Sequence, residues 1–350
     1  MIINVPLAYG PYDVHVGPGL IASAGSLTAG LIPPCRCAVL TDTNVAPLYA
    51  EKLLGSLRSA GYSPTLLTSP AGENSKSLSE VSALCERMIH AGLDRSSCVF
   101  ALGGGVVGDL AGFVAAIYYR GIPFIQLPTT IVAQVDSSVG GKTGVNADGG
   151  KNLIGAFHQP RLVIADTDTL ASLPKRDYNE GFAEVIKHAA IRDFSLLDAL
   201  DDIPALIARN VAIKAAIVAT DEFETLGVRA LLNFGHTIGH GIENAAGYGR
   251  FRHGEAIALG LVAACRLSVE KSGFAQSDSN RILASLARFN LPLSLPADIP
   301  AEAVFQALQK DKKFLGGSVR FILLRQPGDA FVSHDVTPED ILRHIRLLQA

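Results

Sequence analysis

Five short apolar runs in the first half of the chain restrict its fold more than any other feature. They are CAVLTD (37–42), PTLLTS (64–69), CVFALGG (98–104), FIQLPTT (124–130) and LVIADTD (162–168), each ending in Gly, Ser, Thr or Asp. Their length and β-branched bias suit strands buried on both faces. Helical patterns fall between them at VAPLYAEKLLGSLRSAG (45–61) and SLSEVSALCERMIHAG (77–92). Strands alternating with helices predict βαβ units and a mostly parallel sheet. Such sheets bind ligands at the carboxyl ends of their strands. Those ends carry Asp42, Gly103 to Gly105, Thr129 and Thr130.

From about Leu173 the periodicity becomes helical, in YNEGFAEVIKHAAI, SLLDALDDIPALIARNVAIKAAIVATD, HGEAIALGLVAACRLSVEKSG and SNRILASLARF. SVRFILLRQPGDAFVSHD (318–335) reads as a late hairpin. A chain of 350 residues suits two domains. The boundary is expected near 170–176, which gives an α/β domain at 1–172 and a mainly helical domain at 173–350. With 48% hydrophobic and 18% charged residues, there is ample core and no disordered stretch. The net charge of -3 favours neither nucleic acid nor an anionic membrane. A phosphorylated ligand would therefore need a locally basic pocket. AIALGLVAAC (256–265), the longest apolar run, is about half a membrane span and reads as a buried helix. MIINVPLAYGPYDV lacks the regions of a secretory signal. Cys35, Cys37, Cys85, Cys98 and Cys265 lack metal or disulfide spacing and read as free thiols of a reducing cytoplasm.

Three groups of residues carry chemistry. Gly103-Gly104-Gly105-Val106-Val107-Gly108-Asp109 contains G-x-G-x-x-G between a strand and a helix expected from Leu110 to Tyr119. Glycines there let a pyrophosphate approach backbone N–H groups at a helix N-terminus. The motif is not on the first strand, however, and no acid follows about 20 residues later. A tight turn is the competing reading, although three adjacent glycines exceed what a turn needs. Second, Glu184 in GFAEVIKH, His236 and His240 in NFGHTIGH and His253 in RFRHGEA are four candidate metal donors. Two imidazoles and a carboxylate form a common catalytic zinc set. Spacing does not choose between the histidines. Third, residues 128–160 place Asp136, Lys142, Lys151 and Asn152 among glycines, where backbone and cations can hold phosphate or carboxylate. Lys187 is expected to share a helix face with Glu184, and Lys214, Arg229, Asn233 and Lys312 are candidate anion ligands that spacing alone does not recruit.

These residues resemble the 3-dehydroquinate synthase family. The stretches are AGENSKS, GGGVVGDLAGF, YRGIPFIQLPTTIVAQVDSSVGGKTGVN, GKNLIGAFHQP, GFAEVIKH, RALLNFGHTIGHGIE, HGEAIALG and DKK, in family order from about 42 to 313. The resemblance implies an N-terminal Rossmann-like domain that binds NAD and a mainly α-helical C-terminal domain that binds metal and substrate, with the active site in the cleft between them. It also implies a divalent metal (zinc or cobalt) and a homodimer. The metal ligands carry over to Glu184, His236 and His253. NAD contacts carry over to Asp42, Asn44, Glu73, Lys76, Gly105, Val106, Val107, Gly108, Asp109, Thr129, Thr130, Lys142, Lys151, Thr169, Leu170, Ala171 and Ser172. Substrate contacts carry over to Asp136, Lys142, Asn152, Lys187, Lys214, Glu224, Arg229, Asn233, His240 and Lys312. Of these, Lys142, Lys187, Glu224, Arg229 and His240 are the expected catalytic groups. Arg120 matches a residue lent to the neighbouring subunit's phosphate site. DEFETLGVR (221–229) has one residue more than the family spacing, which leaves Glu222 and Glu224 as alternatives for facing substrate.

The family reaction converts 3-deoxy-D-arabino-heptulosonate 7-phosphate, a seven-carbon sugar acid, to 3-dehydroquinate and phosphate. It is the second step of the shikimate pathway, and NAD is regenerated in each turnover. Other readings are a cyclase making epi-valiolone or deoxy-inosose, a metal-dependent polyol dehydrogenase, and a non-catalytic paralogue. The intact Lys214, Arg229, Asn233 and His240 set favours a carboxylate-bearing substrate.

Overall fold

The computed structural model describes residues 1–8, 10–247, 249–309 and 320–349. The chain forms two compact units, Met1–Leu173 with Ile203–Ala219, and Pro174–Asp202 with Thr220–Ala350.

In the first unit the chain forms β1 (Ile2–Val5), β2 (Tyr12–Gly17), β3 (Arg36–Asp42), β4 (Ser63–Ser69), β5 (Cys98–Gly103) and β6 (Phe124–Pro128). The hairpin of β7 (Lys142–Ala147) and β8 (Gly150–Phe157) follows, then β9 (Leu162–Asp166). Seven strands make one sheet in the order β1-β2-β9-β6-β5-β3-β4. Within that sheet only the β1–β2 pairing is antiparallel. Every residue of β5, β6 and β9 is buried, as the apolar runs predict. The strand period of two divides the core between the faces. Ala38, Leu40, Val99 and Ala101 pack with α3 (Leu78–His90) and α4 (Gly105–Ile117), through Leu84, Met88 and Val114. Cys37, Val39, Phe100 and Leu102 pack on the other face with Leu53 and Leu57 of α2 (Glu51–Ser59) and Ala24 of α1 (Ala24–Ala29). Helices therefore cover both faces of the sheet. All five cysteines are free thiols.

Helix α4 begins at Gly105, inside the glycine motif and five residues before the expected Leu110. Close packing explains the difference. A Cβ at Gly108 would lie 2.8 Å from Gln126 Oε1 on β6. Glycine there leaves room for the buried Gln126 amide between helix and sheet, and this packing offsets its poor helix propensity.

The remaining helices are α5 (Lys175–Glu180), α6 (Phe182–Ile191), α7 (Ile203–Thr220), α8 (His236–Ala246), α9 (His253–Ser272), α10 (Gln276–Arg288), α11 (Ala301–Gln309) and α12 (Pro338–Leu347). The late hairpin forms as β10 (Phe321–Gln326) and β11 (Asp329–Ser333). Helix α7 belongs to the first unit through Ala219. It is long and apolar enough to cross a membrane by composition, yet Leu206, Ile207, Val211 and Val218 are buried. In the second unit, α9 is buried from Ala256 through Cys265, as its apolar run predicts. Helices α8 and α9 cross backbone to backbone. A Cβ at Gly260 would lie 1.9 Å from the Gly235 carbonyl oxygen, and Gly235 holds the left-handed φ of 79° that precedes α8.

Candidate active site

The helix crossing sets the first residues of α8 and α9, His236 and His253, near Glu184 on α6. A Cβ at Gly254 would lie 2.0 Å from the Glu180 carbonyl oxygen, so the start of α9 rests directly on the end of α5. The Gly254 N–H donates to Glu180 Oε2 at 3.0 Å. Donor atoms of Glu184, His236 and His253 all lie within 4.8 Å of one another. Both imidazoles aim Nε2 at a single oxygen, Glu184 Oε1, at 3.3 Å from His236 and 3.1 Å from His253. Glu184 is fully buried, and its other oxygen forms an ion pair with Lys187 one turn along α6.

The chemistry of this donor set fits a divalent metal. His236 Nδ1 donates to the Phe234 carbonyl at 3.2 Å. Burial lowers the pKa of His236 against the pull of Glu184, which favours the neutral ring. Its Nε2 lone pair then faces a carboxylate oxygen, an arrangement that a cation between them makes favourable. Burial acts to raise the Glu184 carboxyl, but Lys187 and His236 outweigh it and hold it well below the usual carboxylate range. Burial also acts to lower His253, yet the hydrogen bond to Glu184 and the nearby Glu243 carboxylate push it up to about 10. A proton there occupies the place a metal would take.

The other candidates of the second unit lie close in the chain to this set. Arg229 and Asn233 bracket the 3-10 turn that leads to Gly235. Arg229 is buried and donates from Nη1 to the Glu222 carbonyl at 2.7 Å. The turn with the additional residue is gathered on Asp221, whose carboxylate accepts N–H groups of Thr225, Leu226 and Arg229 at 2.8, 3.0 and 3.1 Å. Glu222 is half-buried there, and Glu224 is exposed with a left-handed φ of 58°. The ring of His240 stands 5.3 Å from that of His236 and 6.2 Å from that of His253. Lys312 lies outside the described residues.

In the first unit a polar network joins four expected residues. Lys76 Nζ donates to Asp109 Oδ2 at 2.7 Å and to Asn152 Oδ1 at 2.5 Å, with Glu73 Oε1 at 3.8 Å. Burial raises the Asp109 carboxyl against the opposing pull of Lys76. Asn146 links the members: its Nδ2 donates to Glu73 Oε1, its Oδ1 accepts the Asn152 N–H, and its own N–H donates to the Lys76 carbonyl, each at 2.9 Å. Asn152 holds a left-handed φ of 55°. Lys151 neighbours it on β8, half-buried, whereas Lys142 opens β7 and is exposed. Lys214 of α7 forms an ion pair with Asp136 and donates to its carbonyl at 2.6 Å.

The dinucleotide candidates line the carboxyl ends of the strands. Asp42 Oδ1 accepts the N–H groups of Asn44 and Val45 at 2.8 and 2.9 Å. A cleft there is bounded by Leu40, Thr41, Asp42, Ser69, Val106 and Val107. Gly105, Val106, Val107, Gly108 and Asp109 form the first turn and a half of α4, whose N-terminus is suited to phosphate. The buried hydroxyls of Thr41 and Thr129 find no partner among the described residues. Such orphans at strand ends fit a polar ligand. Thr130 caps the turn that follows, through its bond from the Ala133 N–H at 3.2 Å. Thr169, Leu170, Ala171 and Ser172 lie in a 3-10 stretch tied to Gln134 through Thr169 and to Tyr49 through Ser172. Arg120 is exposed, with φ 70°. Asn146, Gln134, Tyr49, Asp221 and Glu243 were not legible as site residues. Gln134, Asn146, Asp221 and Glu243 fall inside quoted stretches, but which side chains they meet is visible only in the fold.

Solved structures with this fold define its class. The chain superposes on a 2-deoxy-scyllo-inosose synthase complexed with carbaglucose-6-phosphate, NAD+ and Co2+, with TM-score 0.88 and 26% identity over 99% of each chain. It superposes equally on a 2-epi-5-epi-valiolone synthase from Streptomyces hygroscopicus with NAD+ and Zn2+ bound, with TM-score 0.88 and 28% identity over 98% of each chain. The fold is that of the sugar-phosphate cyclases. A glycerol dehydrogenase from Schizosaccharomyces pombe shares the fold more distantly, with TM-score 0.67 and 18% identity over 98% of this chain and 90% of that one. Family models described as 3-dehydroquinate synthase N-terminal and C-terminal match residues 66–180 and 181–314. The 3-dehydroquinate synthase of Symbiobacterium thermophilum is 48% identical over 345 residues, covering 94% of this chain and 96% of its own. That of Rhizobium etli is 43% identical over 362 residues, covering 98% and 96%. The chain belongs to the 3-dehydroquinate synthase family.

Proposed function

We propose that this chain converts 3-deoxy-D-arabino-heptulosonate 7-phosphate to 3-dehydroquinate and phosphate, using NAD that is regenerated in each turnover and a divalent metal, zinc or cobalt. The observation that carries this reading is the buried Glu184 oxygen faced by Nε2 of both His236 and His253. Those three residues hold the metal. Residues 1–172 hold NAD through the motif at Gly105 to Asp109, through Asp42, Asn44, Thr129 and Thr130, through Glu73, Lys76, Lys142 and Lys151, and through Thr169 to Ser172. When bound, NAD supplies reversible hydride transfer and the metal supplies Lewis acidity. The chain's own groups position substrate and balance its charge. Arg120, Asp136, Lys142, Asn152, Lys214, Asn233 and Lys312 bind its phosphate, carboxylate and hydroxyls. Lys187 sits against Glu184 and offers a cation beside the reacting oxygens. Arg229, Glu224 and His240 complete the substrate site, with His240 donating to the leaving phosphate. The protein works as a homodimer in the cytoplasm, with Arg120 serving the neighbouring subunit.

The test is substrate choice. Protein loaded with zinc or cobalt and NAD should release phosphate and 3-dehydroquinate from the heptulosonate phosphate. It should leave sugar phosphates lacking the carboxylate unturned. Turnover of the latter with none of the former would assign the chain to another cyclase.

A further inference from the structure

Two sets of donor atoms in the second unit share His253. One is Glu184, His236 and His253; the other is His240, Glu243 and His253. Glu243 stands on α8 seven residues after His236 and three after His240, so the three share one helix face. Its side chain is 10% exposed, and Oε2 lies 3.6 Å from His253 Nδ1. On the other side of the same ring, Nε2 lies 3.1 Å from Glu184 Oε1. The imidazole is thus spanned by two carboxylates, one at each nitrogen. His236 shows the matching arrangement, with the Phe234 carbonyl at its Nδ1 and Glu184 at its Nε2.

We propose that Glu243 is the positioning carboxylate of His253, fixing the hydrogen on Nδ1 so that Nε2 presents its lone pair beside Glu184 to a divalent metal. The inference rests on the reading of Glu184, His236 and His253 as metal ligands. A partner of this kind selects the tautomer, fixes the ring plane and raises ligand basicity. Glu243 is not itself a ligand, because it meets the nitrogen that points away from Glu184. The Glu180 carboxylate complements it from the backbone side, by accepting the N–H of Gly254 next to His253.

The test is zinc affinity, measured by competition with a chromophoric chelator on full-length protein. The proteins are wild type, Glu243→Ala, Glu243→Gln and His253→Ala, with circular dichroism of each metal-free protein as the folding control. Glu243→Ala should weaken zinc binding about 10–100-fold. Glu243→Gln should recover part of that loss, because the amide oxygen still accepts from Nδ1. The visible bands of cobalt-loaded Glu243→Ala should shift relative to wild type. Binding by Glu243→Ala within about twofold of wild type would overturn the proposal. So would a loss as complete as that of His253→Ala, which would make Glu243 a ligand. If His253→Ala binds zinc as wild type does, the ligand reading itself fails and takes this inference with it.

Discussion

Lys76→Ala tests the polar interior of the first unit. Lys76 is 5% exposed, and its ammonium lies 2.7 Å from Asp109 Oδ2, 2.5 Å from Asn152 Oδ1 and 3.8 Å from Glu73 Oε1. Truncation strands two carboxylates and an amide oxygen without their cation. Removing one member of a buried pair costs about 3–5 kcal/mol. The Asp109 side chain keeps 21% exposure, so water offsets part of that, and the expected loss is about 2–3 kcal/mol. The pH dependence has a definite sign. Burial already raises the Asp109 carboxyl, with Lys76 and Lys214 pulling the other way and Glu73 adding to the rise. Without Lys76 the folded-state pKa climbs further. A carboxyl raised on folding contributes stability that is full below its unfolded pKa and lost as pH rises through the folded one. The deficit should therefore be smallest near pH ~4, close to the ordinary Asp value of about 3.9, and grow towards pH ~8. Urea unfolding of the NAD-free protein across that range measures it. A deficit under about 0.5 kcal/mol at neutral pH, the size of an ordinary surface substitution, would refute the reasoning. A deficit that shrinks as pH rises would refute it equally.

Thr129→Val removes a buried hydroxyl that has no partner among the described residues. It should leave the stability of the NAD-free protein unchanged or raise it by up to about 1 kcal/mol, while weakening NAD binding about tenfold in a calorimetric titration; an unchanged NAD affinity would remove Thr129 from the dinucleotide site. Asp221→Ala strands the N–H groups of Thr225, Leu226 and Arg229. It should cost about 1–3 kcal/mol and raise the substrate KM more than it lowers kcat, because Arg229 loses its anchor. Asp221→Asn should restore part of the stability, since its amide oxygen can still accept from Thr225 and Leu226, but its NH2 then meets the Arg229 N–H as donor to donor; an Asp221→Ala protein with wild-type KM would show that the turn does not position Arg229.

The parallel sheet was legible because both faces of β5, β6 and β9 are buried and each reads as a continuous apolar run. The antiparallel β1–β2 pair was not legible, because Ile2–Val5 is short and largely exposed. Nor was β7–β8: its glycines read as loop, yet Gly144 and Gly155 meet across the hairpin, where a Cβ on either would strike the other strand. Helix α7 shows why periodicity marks a helix but not its neighbours, since its contacts place it with the first unit. In the metal set, residue types were visible but convergence was not. Glu184, His236 and His253 lie on three helices, and their meeting depends on the closeness of Gly235 to Gly260 and of Gly254 to Glu180. Glu243 closes the stretch RALLNFGHTIGHGIE, but only the fold shows that it faces His253.

In the proposed reaction, hydride leaves and returns within one turnover. The direct measurement is phosphate released per NAD, with NADH followed in the same sample, from metal-loaded protein given the heptulosonate phosphate and a substoichiometric amount of NAD. Many phosphates per NAD and no accumulation of NADH are expected. Release that stops when NAD is consumed, with an equal amount of NADH formed, would contradict the proposed reaction, as would no release at all.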